Sequence, residues 1–128
     1  MKIKNLESLK ATQYAVNFGK GTSFRFLTKK DGMGFTFTDT YVDENSEYEL
    51  QYNHHLEACY IIAGEGEIHF DGNVERLEPG VFYALDQYDR HVIKSFSAIR
   101  MICVFSPALE GNEKHDFSKD GASGYGKS

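Results

Sequence analysis

Proline and cysteine are scarce, at two residues each in 128, and tryptophan is absent. Two prolines against twelve glycines, ten phenylalanines and eight tyrosines favour a β-rich fold with tight corners. No linker, internal repeat or low-complexity core segment interrupts the chain. The two cysteines, Cys59 and Cys103, each lie inside an apolar stretch, which excludes a secreted disulfide framework. Two free thiols and a reducing, cytoplasmic setting are expected. No apolar run reaches transmembrane length, and no signal peptide is read at the start. Basic residues number 14 against 19 acidic ones, for a net charge of −5. They are scattered, which argues against nucleic acid and an anionic membrane surface as partners. The length suits one domain over residues 1–128, with a core over about 1–107 and a tail or lid over 108–128.

What is present centres on residues 52–70, YNHHLEACYIIAGEGEIHF. Aromatic and β-branched residues from Ala58 to Ile62 predict a strand. Gly64 and Gly66 predict a corner, and Ile68 and Phe70 resume the alternation. Side chains alternate along a strand, so Glu57, Cys59 and Ile61 share one side. A carboxylate on an inner face needs a metal, a cation or a proton to offset its desolvation.

In chain order, Met1 to Lys10 reads as a short strand and a turn, with Asn5 as a cap. Strands are predicted over Ser23 to Leu27 and Gly34 to Tyr41, joined by the Asp31-Gly32 turn. Thr36, Thr38 and Thr40 share a face, either a half-exposed strand surface or the polar wall of a pocket. Further strands follow from Glu47 to Gln51, Val74 to Leu77, Val81 to Leu85, at His91 to Ile93, and from Ile99 to Phe105. Their regular spacing implies an antiparallel β-sandwich or barrel of the cupin and jelly-roll kind. After Pro107 the chain turns polar and glycine-rich. Asp116 to Ser128 is expected to be mobile, or ordered by a ligand.

Glu57, Tyr83 and His91 come from different strands or strand edges, each on an otherwise apolar face. One carboxylate, one phenol and one imidazole make a three-ligand site for divalent iron, manganese or zinc with open positions. The plainer readings are a solvated glutamate, a core tyrosine and a hydrogen-bonded histidine. Glu57 and Gly64 match the E-x6-G half of the first cupin motif, and Gly80 with His91 matches the span of the second. Neither histidine that normally precedes the glutamate is present, because none of Leu50 to Asn53 is histidine. His54, His55 and His69 read as structural, with His69 facing outward. Asp86 and Asp89 read as loop solvation or as support for His91.

Longer matches sharpen this. KNLESLK, KKDGMGFTFT, YNHHLEACYIIAGEGEI, LEPGVFYALDQYDRH and RMICVFSPALEGNEKHD together resemble the ectoine synthases, small cupin enzymes, over nearly the whole chain. The resemblance implies ring closure of N-γ-acetyl-2,4-diaminobutyrate to ectoine with loss of water. It also implies an Fe(2+) cofactor on Glu57, Tyr83 and His91, and a homodimer. Carried over residue by residue, Arg25 would pair with the substrate carboxylate, and Ser23, Thr38, Thr40 and Tyr52 would line a polar wall. Cys103 and Phe105 would form the floor, while Glu113 and His115 would close the site. Tyr52, Glu113 and His115 are the candidates for proton transfer. Where the family carries a tryptophan, this chain has Gly21, which implies a missing aromatic wall and a change in substrate affinity or identity. Two alternatives remain at this stage: an iron cupin acting on a related amino-acid derivative, and a non-catalytic small-molecule-binding cupin.

Overall fold

Residues 1–118 and 121–126 are described by the computed structural model of the protein. Among the described residues ten strands follow one short α-helix: α1 Leu6–Lys10, β1 Ala15–Asn17, β2 Gly21–Leu27, β3 Thr36–Val42, β4 Glu47–Leu50 and β5 Leu56–Ala63. Then come β6 Gly66–Phe70, β7 Asn73–Leu77, β8 Phe82–Leu85, β9 His91–Ser95 and β10 Ile99–Ser106. They form a six-stranded sheet, β1-β2-β3-β10-β5-β8, and a four-stranded sheet, β4-β9-β6-β7. The strand pairs are antiparallel. The fold is the expected antiparallel jelly-roll-like β-barrel.

Parity selects the inner faces. Glu57, Cys59 and Ile61 of β5 are all buried, while the intervening Tyr60 and Ile62 are exposed. On β10, Met101, Cys103 and Phe105 point into the same core, which Ile68, Leu77 and Ile93 close from the opposite sheet. The threonines of β3 also face inward, with Thr36 and Thr38 fully buried. Buried hydroxyls are costly without partners, and these have them. Thr38 and Thr40 share a hydrogen bond of 2.9 Å, and Thr36 Oγ1 accepts from the Leu109 amide at 2.7 Å. The row is therefore interior wall and not a half-exposed surface.

Two local readings are corrected. Met1 to Lys4 is not a strand, and the following residues form α1. The Asn5 side chain accepts from the Ser8 amide at 2.9 Å, and Lys10 meets Glu7 one turn back at 2.8 Å. A side-chain cap and a helical charge pair prevail over a few alternating residues that have no partner strand. β1, not anticipated, pairs with the start of β2.

The segment after β10 returns over the barrel mouth. Lys29 donates its amide to the Leu109 carbonyl at 2.7 Å, anchoring the return. In the tail expected to be mobile, described residues 116–118 and 121–126 pack on the barrel; the rest of that expectation, at 119, 120, 127 and 128, lies outside the described residues. Ser123 forms a parallel bridge to Leu50, and Tyr125 is buried in the core cluster.

Candidate active site

At the end of the barrel under the tail lies a cavity of about 40 Å³, lined by Ser23, Thr40, Tyr52, Glu57, Tyr83, Cys103, Phe105 and His115. Eight residues singled out from the sequence thus meet at one place. The remaining four attach through them. Thr38 bonds Thr40, and Arg25 Nε approaches Ser23 Oγ at 3.4 Å. Glu113 lies 3.6 Å from Arg25 Nη1, and the His91 ring packs against Tyr52 at 6.3 Å between centroids.

Glu57 occupies the β5 position opposite Phe105 of β10 and Leu85 of β8. Burial pushes its carboxyl up to about 7, opposed by a hydrogen bond with Cys59. Its Oε1 is buried without a hydrogen-bond partner among the described residues. His91 opens β9, where its Nδ1 lies 3.0 Å from the Asp89 carbonyl oxygen. A carbonyl only accepts, so Nδ1 carries the proton. Burial lowers the His91 pKa, so the ring is neutral and Nε2 keeps its lone pair. That Nε2 is likewise buried and makes no hydrogen bond among the described residues. An imidazole tied to a backbone carbonyl through one nitrogen and bare at the other is how histidines bind metals. The support expected from Asp89 therefore comes through its backbone. Tyr83 completes the donor set, and burial holds its phenol well above the ordinary range. A carboxylate and an imidazole that each bury an atom without a hydrogen bond among the described residues, together with a phenol, are donor types that fit a divalent cation. The thiols offer another grouping: Glu57, Cys59 and Cys103 place potential ligand atoms within 4.8 Å of one another. Cys59 and Cys103 are free cysteines, directly opposite in register, with sulfurs 3.3 Å apart.

Arg25 is 1% exposed. Its Nη2 donates to the Tyr125 hydroxyl at 3.3 Å, while Nη1 has no hydrogen-bond partner among the described residues. A buried guanidinium with a spare donor is suited to a carboxylate. Glu113 is a fixed anion beside it, its carboxylate accepting from the Glu110 and Gly111 amides at 2.8 Å each. Burial raises its pKa, but those amides and Arg25 outweigh it and hold the group below the ordinary value. Holding Arg25 and the tail suits such an anion better than proton transfer does. Tyr52 Oη and His115 Nε2 lie 2.9 Å apart, and His115 Nδ1 reaches Ser123 Oγ at 2.8 Å. Burial, reinforced by Arg25 and His91, lowers the His115 pKa to about 3. This neutral hydroxyl–imidazole–hydroxyl chain carries hydrogen bonds from the cavity to the tail.

Gly21 does not leave an open wall. It pairs with Val42 at the start of β2, and a Cβ there would lie 1.9 Å from the Tyr41 carbonyl oxygen and 3.0 Å from Phe18 Cζ. Phe18 itself lines the cavity, so an aromatic wall exists, supplied from the β1–β2 turn. Tyr48 and Tyr125 were also missed. Tyr48 has the strand parity of Tyr52, a usable signal, whereas Tyr125 sits in a polar, glycine-rich stretch with none. His55, read as structural, is buried with its ring edge-on to Phe105 at 6.4 Å. His69 is half-exposed and bonded to Glu67 at 2.8 Å.

Fold and site together define a cupin-type β-barrel that carries a carboxylate, a phenol and an imidazole as potential donors. A cupin of the RmlC-like type from Shewanella frigidimarina shares the fold, with a TM-score of 0.61 and 21% identity over 72% of this chain and 80% of that one. The ectoine synthase family profile matches residues 1–124, and the chain belongs to that family. The L-ectoine synthase of Halalkalibacterium halodurans is 42% identical over 118 residues, covering 91% of this chain and 92% of the relative. The crystal structure of the ectoine synthase from P. lautus superposes with a TM-score of 0.83 at 40% identity, covering 87% of this chain and 81% of that one.

Proposed function

We propose that the protein is an L-ectoine synthase, a carbon–oxygen hydro-lyase that closes N-γ-acetyl-L-2,4-diaminobutyrate to ectoine and water. The observation that carries this reading is the family match over 1–124 combined with a cavity where the polar and donor residues meet. In the reaction the free amine attacks the acetamide carbonyl carbon, a C–N bond forms, the C–O bond breaks and water leaves. Amine and carbonyl belong to one molecule, so folding it correctly supplies much of the rate. Arg25 takes the carboxylate, while Ser23, Thr38 and Thr40 offer hydroxyls along one wall. Cys103 and Phe105 form an apolar floor that excludes bulk water and so disfavours the reverse hydrolysis. Tyr52 Oη and His115 Nε2 form the pair assigned to moving the proton from the attacking amine towards the departing oxygen.

Glu57, Tyr83 and His91 would hold the cofactor, assigned as Fe(2+). When bound, it supplies Lewis acidity to the amide oxygen. The free cysteines suit a reducing cytoplasm, where the product would serve as an osmoprotectant. The test is turnover: iron-bound protein incubated with N-γ-acetyl-diaminobutyrate should yield ectoine by mass. Folded, iron-bound protein that yields none would refute the reading.

A homodimer belongs to the same proposal. Tyr60 of β5 and Phe82 of β8 are direct partners, and with Ile62 they leave an exposed apolar strip on the outer sheet face beside the unpaired edge of β8. A second copy of the chain would cover that face and edge. Sedimentation at micromolar concentration should give twice the chain mass, and a stable monomer would overturn the assignment.

A further inference from the structure

We propose that Tyr125 is a substrate-binding residue, delivered by the C-terminal segment so that its hydroxyl and Arg25 grip the substrate carboxylate together. The inference rests on the cyclase reading and extends it one residue beyond the family match, which ends at 124.

The segment is built to dock. Ser123 sits between two backbone groups of the strand before the site, donating its amide to the Glu49 carbonyl at 2.9 Å and accepting from the Gln51 amide at 2.8 Å. Its hydroxyl meets His115 Nδ1 at 2.8 Å and the Asp116 amide at 3.2 Å. The next residue, Gly124, passes so close to the Gln51 carbonyl oxygen that a Cβ would lie 2.1 Å from it. Only glycine permits that approach, and the approach places the following side chain inside.

Once inside, Tyr125 is 8% exposed. Its ring stacks on His115 with centroids 4.4 Å apart and planes at 28°. It also packs against Phe105 at 5.7 Å. Its hydroxyl accepts from Arg25 Nη2 at 3.3 Å, so its own proton remains to be donated. A phenol O–H beside a guanidinium whose Nη1 faces Glu113 at 3.6 Å without a hydrogen bond to it among the described residues forms a two-point donor set matched to a carboxylate.

The test compares Tyr125→Phe, which keeps the ring and loses the hydroxyl, with Gly124→Val, which keeps the hydroxyl and blocks docking. Both should raise KM for N-γ-acetyl-diaminobutyrate about ten-fold, the scale of one charge-assisted hydrogen bond, with kcat of Tyr125→Phe changed less than two-fold. Calorimetric Kd on metal-free protein should rise in parallel. With N-acetyl-1,3-diaminopropane, which lacks the substrate's carboxylate, wild type and Tyr125→Phe should bind indistinguishably, which a merely structural role would not produce. Wild-type turnover combined with an unchanged Tyr125→Phe KM, or an equal loss of binding on the analogue without the carboxylate, overturns this inference alone. Wild-type protein that neither turns over nor binds the compound overturns the cyclase reading as well.

Discussion

Glu57 and His91 meet the same problem, burial of a polar atom, with different chemistry. His91 is neutral and directs its lone pair inward because the Asp89 carbonyl takes its only proton. Glu57, with its carboxyl at about 7, holds a proton for part of the population at neutral pH. A cation can bind only after that proton leaves, so metal uptake and proton release are linked. Metal affinity should therefore rise with pH through about 7 as Glu57 ionises, and go on rising above it because the Tyr83 phenol, held well above the ordinary range, must also give up its proton. Calorimetry in buffers of different ionisation enthalpy should register one proton released from Tyr83 throughout and up to one more from Glu57 below about 7. Glu57→Ala and His91→Ala should each lose most bound iron by metal analysis while keeping the far-ultraviolet spectrum of the folded protein. Full iron occupancy in both variants would disprove the donor assignment and return weight to the thiol grouping around Cys59 and Cys103.

At the scale of elements, the pairing of β2 with β3 determines what position 21 can be. The Tyr41 carbonyl stands where a Cβ would go, so no rotamer of a larger residue relieves the clash. Gly21→Trp is expected to destabilise the fold by at least ~3 kcal/mol, the upper range for overpacking, read in urea unfolding. A Gly21→Trp protein with unchanged stability and a lower KM would show that the position faces the pocket after all. The error in reading Gly21 as a missing wall is instructive. The sequence reveals which side chain is absent, but not that Phe18 approaches from the neighbouring turn. Parity made Glu57, Cys59 and the β10 face legible because both sheets bury one side, so a two-residue period translates directly into inside and outside. The same rule misjudged Met1 to Lys10, where a cap and a charge pair outweigh alternation. It had no purchase on Tyr125, whose order comes from docking on Leu50 and His115 rather than from any local pattern.

Across the whole molecule, buried titratable groups at the barrel's centre set how stability responds to pH. His55, His91 and His115 all have pKa values lowered by burial. In each, the unfolded chain takes up a proton near 6.5 that the folded state refuses, so stability is present above 6.5 and lost as pH falls through it. For His115, whose folded value is about 3, the loss continues over the whole acid range. Glu57 acts in the opposite sense. Its folded value of about 7 lies above the ordinary 4.5, so its contribution is full below 4.5 and lost as pH rises towards 7. Between 4.5 and 6.5 the glutamate therefore offsets one histidine, and the metal-free protein loses stability on acidification more gently than its histidines alone dictate. Replacing Glu57 by Gln removes that offset. The slope of unfolding free energy against pH between 5 and 6.5 should steepen in metal-free Glu57→Gln by up to about 1.4 kcal/mol per pH unit, the value of one whole proton. Binding a metal should steepen the wild-type slope in the same direction, because the bound carboxylate can no longer take up a proton. Urea unfolding at a series of pH values measures both slopes. Parallel lines for wild type and Glu57→Gln would mean that Glu57 is already ionised in the folded, metal-free protein, and that the barrel floor is wetter than its packing implies.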